Sequence, residues 1–278
     1  MAATRMLSYV EKDTFVHHLS GLTKLIFFLA WCITSAMTYD TRILLVMIAV
    51  SLVLFVISKT QWKQIAGVFK FILLMMIINV IAIFLLSPYQ GCEIYHSKTV
   101  LAPFFAGHDI TAEELFYLFN VVIKYFTVAP SIFIFLVTTN PSEFASSMNL
   151  IGVPYTVSYA ISIALRYIPD VQDDYHRIKN AQEARGIEMN AANAKLSERI
   201  RRTSAIIFPL LFSTMEEIDV VSNAMELRGF GKKEKRTWYA RKKLTKADYI
   251  SIAATLAFMV FALWFTYRDG SRFYNPFA

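Results

Sequence analysis

The chain is poor in cysteine and in charge, and it has no phosphate-binding loop; each shortage removes a class of protein. Its 278 residues hold two cysteines, Cys32 and Cys92. That is too few for a disulfide scaffold or a cysteine-rich metal site, and both read as free thiols. No Gly-x-x-x-x-Gly-Lys-Ser/Thr run occurs, so ATP is not expected to bind in that mode. The five histidines, at positions 17, 18, 96, 108 and 176, are scattered, with no His-Glu-x-x-His or Cys/His spacing. No metal site and no cofactor are expected. Charged residues make up 18% of the chain, against about 25% in a soluble domain. With 56% hydrophobic residues and a mean hydropathy of +0.44, a water-soluble globule of this size is excluded. The same apolar excess excludes low-complexity disorder.

The charge that is present leans basic. There are 28 Lys and Arg against 21 Asp and Glu, for a net charge of +7. In a membrane protein this points to basic loops on the cytoplasmic side, not to nucleic acid. The aromatic content, 15%, suits membrane-interface belts.

A helix needs about 20 apolar residues to cross a bilayer, with a range of about 17–25. Five runs are candidates: Leu22–Tyr39, Ile43–Ser58, Phe71–Ser87, Leu115–Val137 and Tyr249–Tyr267. Ile43–Ser58 is short, but Arg42 and Lys59 flank it with side chains long enough to reach outward. The first run has the look of a signal peptide, yet the next apolar run follows within a few residues, and a hairpin of two spans explains the pattern better. A sixth stretch, Pro154–Ile168, is shorter and carries Arg166.

Topology decides its place. The N-terminus through Lys24 carries Arg5, Lys12 and Lys24, the first loop Arg42, the second Lys59, Lys63 and Lys70, and the third Lys98. This alternation puts the N-terminus inside. Residues 139–246 hold 17 Lys and Arg and 12 Asp and Glu, and they too belong inside. A span at Pro154–Ile168 would place them outside, so that stretch is read as a helix at the interface or under the membrane domain. The fold expected is an all-α integral membrane protein of about five transmembrane helices, with a helical cytoplasmic domain inserted before the last span. Its parts are residues 1–139 with four spans, 140–246 in the cytoplasm or interface, and 247–278 with the last span. Pro88–Thr111 is the main external loop.

Asp170–Gly231 is rich in good helix formers. Pro169 and Pro209 mark starts or bends, and Gly186 and Gly229 suit helix ends. An internal repeat lies here. Asn180-Ala181-Gln182-Glu183-Ala184-Arg185-Gly186-Ile187 matches Asn223-Ala224-Met225-Glu226-Leu227-Arg228-Gly229-Phe230, five identities in eight at an offset of 43. The bland reading is two helices with glycine caps and an Arg near the negative end of each dipole. That accounts for Arg-Gly but not for the shared Asn-Ala-x-Glu. The functional reading is a docking element used twice, on two similar partners or one dimeric partner, with the planar cationic Arg fork meeting carboxylates or carbonyls.

On these residues the chain resembles the transmembrane (T) component of energy-coupling-factor transporters, the micronutrient-importing branch of the ABC superfamily. That family has two short Ala-Arg-Gly-like motifs on cytoplasmic coupling helices. Here they are Ala184-Arg185-Gly186 and Leu227-Arg228-Gly229, flanked by Asn180, Glu183, Asn223 and Glu226; Leu227 departs from the pattern. His18-Leu19 with Thr23-Lys24-Leu25 resembles the family's approach to the first span, although Ser20-Gly21 replaces the usual Asp-Pro. Thr138-Thr139, Pro141-Ser142-Glu143-Phe144 and Gly152-Val153-Pro154 resemble the stretch leading to the coupling region. Ala164-Leu165-Arg166-Tyr167-Ile168-Pro169 resembles the segment before the first coupling helix. The resemblance implies a bacterial plasma-membrane complex. In it, two ABC-type ATPases dock on the two Arg motifs, a separate substrate-binding S component captures a vitamin or metal, and this chain joins them without catalysis.

Other features are weighed beside that reading. Lys124, in the fourth span, either faces the S component or a polar partner such as Asn79 or Asn120, or snorkels along the bundle. Gln61–Gly67 and Ser142–Leu150 look like interfacial helices or partner contacts. The basic run from Lys232 to Arg236, with Arg241-Lys242-Lys243, suits anionic lipid rather than nucleic acid. A membrane-embedded enzyme would need a clustered acid or nucleophile–base pair, and none is legible. A self-sufficient secondary transporter would show repeated membrane halves, whereas the repeat here is in the cytoplasmic segment.

Overall fold

The structure is a computed structural model that describes residues 13–60, 62–103, 109–187, 196–232, 237–239, 242–268 and 271–277. The chain forms two compact units. Unit 1 comprises Met1–Glu143 and Lys242–Ala278, and unit 2 comprises Phe144–Arg241.

Unit 1 contains α1 (Phe15–His18), α2 (Gly21–Met37), α3 (Thr41–Ile57), α4 (Trp62–Leu86), α5 (Gln90–Tyr95), β1 (Val100–Pro103), β2 (Asp109–Thr111), α6 (Ala112–Thr138) and α10 (Lys246–Tyr267). Among the described residues, three helices are long and apolar enough to cross a bilayer: Ile65–Leu86 within α4, α6 and α10. The apolar helices α2 and α3 have 17 residues each, at the lower bound of about 17 for a span. The five predicted runs coincide with these five helices, and the protein is an all-α membrane protein. Its surface agrees. Phe71, Leu74 and Leu86 on α4, and Ile250, Val260 and Trp264 on α10, are exposed. Such continuous apolar faces suit lipid and would drive aggregation in water.

Helix α6 is the hub, packing against α2, α3, α4 and α5. Lipid tails are as apolar as leucine, so close packing and interhelical hydrogen bonds hold such a bundle. Trp31, Ile43, Met47 and Ala262 form one buried cluster among α2, α3 and α10. Ile65, Ala129, Phe133 and Val137 form another between α4 and α6. The Thr41 hydroxyl donates to Asn120 Oδ1 at 2.7 Å, and the Thr38 and Thr266 hydroxyls lie 2.7 Å apart. Bonds of this kind contribute about 0.6 kcal/mol each.

Several details differ from the sequence-based expectation. Trp62–Gly67 is not a separate interfacial helix but the first turns of α4; Gln61 lies outside the described residues. The loop expected to be external contains α5 and an antiparallel β1–β2 ribbon; residues 104–108 lie outside the described residues. Gly91 on α5 is required there, because a Cβ would sit 2.5 Å from the Glu113 carbonyl oxygen. That closeness lets the Gly91 amide donate to buried Glu114 at 2.7 Å. Arg42 does not simply reach outward. It pairs with Asp40, the N-cap of α3, at 2.7 Å and stacks over Phe265 and Tyr274.

Unit 2 holds most of α7 (Pro141–Leu150), then α8 (Tyr155–Ala184) and α9 (Leu196–Leu227). Pro169 does not start a helix. Pro154–Ile168 and the following stretch merge into one helix of 30 residues with Pro169 inside it, and α9 likewise runs through Pro209. Helices α8 and α9 pack as an antiparallel pair. Gln182 near the end of α8 donates to the Ala205 carbonyl at 3.0 Å, while Tyr155 and Tyr159 at the start of α8 meet Phe230 beyond the end of α9.

Candidate functional site

The two copies of the repeated octapeptide end α8 and α9 with the same backbone device. In the first, Gly186 has φ +86°. Its amide bonds the Glu183 carbonyl at 3.0 Å, and the Ile187 amide bonds the Gln182 carbonyl at 3.1 Å. In the second, Gly229 has φ +67°; its amide bonds Glu226 at 2.8 Å, and the Phe230 amide bonds Met225 at 2.9 Å. These are paired Schellman stops, which satisfy carbonyls that a helix end otherwise leaves open. The left-handed residue is glycine because a Cβ is penalised there. In each copy Arg is the residue just before that glycine.

Exposure follows the same register. Gln182 and Met225 turn inward, and Asn180, Glu183, Ala184 and Arg185 in one copy, with Asn223, Glu226, Leu227 and Arg228 in the other, face outward. Leu227 is 90% exposed. Glu183 is engaged locally by Lys179 at 3.8 Å, an exposed pair of small energetic worth.

The copies are not brought together. They occupy opposite ends of the α8–α9 pair, and the stretch of α9 from Ala205 to Arg228 rises about 35 Å at roughly 1.5 Å per residue. Their surroundings also differ. Arg228 borders a cavity of about 450 Å³ lined by Tyr155, Tyr159, Arg166, Asp170 and Phe230. Tyr155, Tyr159, Phe230 and Trp238 pack as an aromatic group there. Trp238 is held by its indole N–H donating to Asn149 Oδ1 at 3.2 Å. At the other end, a Cβ on Gly186 would meet open space.

A second constellation was missed in the sequence. At the end of unit 1 where α2 and α10 begin and α6 finishes, Asp248 accepts from the Ser20 amide and the Thr23 hydroxyl, both at 2.7 Å. Glu143 accepts from the Gly21 amide at 2.7 Å. Lys24 donates to the Thr138 carbonyl at 2.7 Å. This juxtaposes the His18–Leu25 and Thr138–Phe144 stretches on which the resemblance rests. Thr245 and Asp248 form a capping box, and Thr-x-x-Asp before an apolar run is the one local signal that pointed to it.

Lys124 pairs with neither Asn79 nor Asn120. Its ammonium lies 3.1 Å from the centroid of Tyr39 and 3.5 Å from the Ala36 carbonyl oxygen. Among the described residues no group of three His, Cys, Asp or Glu could hold a metal ion. The basic run from Lys233 to Arg236, and Arg241, lie outside the described residues.

These features define a helical membrane protein with a separate unit bearing twin arginine-tipped helix ends. Residues 12–239 match the family CbiQ, cobalt transport protein, and the chain belongs to that family. Curated relatives agree over nearly the whole length. The chain is 24% identical over 264 residues to the energy-coupling factor transporter transmembrane protein EcfT of Clostridium kluyveri, covering 92% of this chain and 94% of that one. It is 26% identical over 266 residues to the protein of the same name from Staphylococcus aureus, covering 92% and 95%. A shorter match, 34% over 125 residues, covers 42% of this chain and 44% of the Lactobacillus helveticus protein. The resemblance to the T component of energy-coupling-factor transporters is thereby borne out.

Proposed function

We propose that this chain is the energy-coupling subunit of an ATP-driven micronutrient importer. It stands between two ABC-type ATPases and a substrate-binding S component of the cell membrane, and catalyses no reaction itself. The observation that carries the reading is the duplicated Schellman stop, which presents Arg185 and Arg228 outward at the two ends of one helix pair. Two similar cationic ends some tens of ångströms apart suit two similar motor subunits. The chain has no phosphate loop of its own, so the energy comes from those partners. The N-terminus and residues 140–246 lie on the cytoplasmic side, as the Lys and Arg distribution requires, which puts the arginines where ATP is. The S component selects the cargo, a vitamin or a metal ion.

The test is capture of the tagged chain from bacterial membranes in mild detergent. Wild type brings down two ATPases and a small membrane protein. Arg185→Glu with Arg228→Glu leaves the chain inserted at normal abundance and strips it of ATPases. Retention of both ATPases by that double variant overturns the proposal.

A further inference from the structure

The chain leaves unit 1 at Glu143 and returns to it at Lys242, and those two residues face each other. Lys242 Nζ lies 3.5 Å from Glu143 Oε1, and it also donates to the His17 carbonyl at 3.2 Å. The same Glu143 oxygen holds the Gly21 amide at 2.7 Å. Six residues beyond Lys242, Asp248 holds the neighbouring Ser20 amide and the Thr23 hydroxyl. The first amides of α2 are orphan donors at the positive end of a helix dipole. One carboxylate from the outgoing chain and one from the returning chain satisfy them. Lys24 adds a strut to the last residue of α6.

Burial makes these contacts matter. Glu143 is 4% exposed, Lys24 5% and Asp248 1%. A buried charge that loses its partner is strongly destabilising, whereas an exposed pair contributes little. Within unit 2 the two chain segments are tied once more, by Trp238 to Asn149.

We propose that this cluster is the mechanical root of unit 2. Glu143 and Asp248 grip the start of α2, and Lys242 closes the pair of chain crossings. A displacement of unit 2 is then delivered to α2 instead of being lost in two independent connections. Glu143 is a positioning residue in this scheme. The inference rests on the coupling role proposed above, and its experiment separates the two.

Hydrogen exchange is measured on the complex captured from membranes, with and without ATP. In wild type, ATP changes exchange both within 144–232 and at the amides of 20–24. In Glu143→Ala the change at 20–24 falls at least about five-fold, while that in 144–232 and the ATPase rate stay near wild type. Glu143→Gln, which keeps an acceptor for Gly21, loses less. Lys242→Gln, at a half-exposed position, gives an intermediate loss and serves if the alanine variant does not accumulate. A normal ATP response at 20–24 in these variants overturns the inference, as does an equal loss in both regions, which would mark a purely structural role. A wild-type chain that captures no ATPase overturns the coupling reading and this inference with it.

Discussion

At the end of α8 a Cβ on Gly186 would meet no described atom within 4 Å; at the end of α9 Arg228 borders a cavity walled by Tyr155, Tyr159 and Arg166. The two Schellman bonds of each stop correspond: glycine amide to the Glu carbonyl three residues back, and the next amide to the carbonyl five back. The difference teaches that eight residues suffice to end a helix on an outward arginine, while the neighbourhood of that arginine is supplied from elsewhere in the chain. Local bonds within one turn set the first, and the antiparallel packing of α8 on α9 sets the second. The two helix ends are therefore built alike but are not equivalent.

The largest effect is expected from single charge reversals. Arg228→Glu, beside the aromatic cavity, reduces ATPase capture about 100-fold, and Arg185→Glu, at the end of α8, about 10-fold, because an anchor pre-ordered by its surroundings gives up less freedom on binding. Equal losses, read by quantitative co-purification, would erase the distinction.

Next come the glycines. Gly186→Ala and Gly229→Ala each force a side chain into a left-handed residue and lower stability by about 1–2 kcal/mol. Thermal unfolding in detergent should show similar losses for the two, since the stops are the same. Asn149→Ala frees the Trp238 indole and loses about 1 kcal/mol. Tryptophan fluorescence should report a looser aromatic group at the walled end, with ATPase capture through Arg185 unchanged. The smallest effect is for Glu183→Gln, which breaks the exposed pair with Lys179. It should shift stability by less than about 0.5 kcal/mol and leave capture intact; a large loss of capture would make Glu183 a contact in its own right.

Much of this architecture could be read from residue types. The five apolar runs became five helices, four with ends shifted by up to three residues and the third extended nine residues back to Trp62, because a span is dictated by length and hydropathy. The helix stops at Gly186 and Gly229 were legible for the same reason: glycine alone accepts the needed φ at little cost. Pro169 and Pro209 start no helix, since each sits inside a continuous one; a proline only disfavours the helix at its own turn. The order of the 88–111 segment was missed because its anchors, Glu113 and Glu114, lie at the start of a membrane helix, where a carboxylate reads as a helix-end charge. The neighbour of Lys124 was not legible, because Tyr39 lies far away in sequence.

By itself the sequence determined that the chain enters a membrane, which runs cross it, where α8 and α9 stop, and that two arginines stand at those stops. These follow from hydropathy and backbone preference, which act within a few turns. Only the tertiary structure decided that a cavity borders the Arg228 stop, and that Glu143 and Asp248 converge on the first amides of α2 with Lys242 beside Glu143. Such contacts join residues far apart in the chain, and no local propensity specifies which buried charge will meet which helix end.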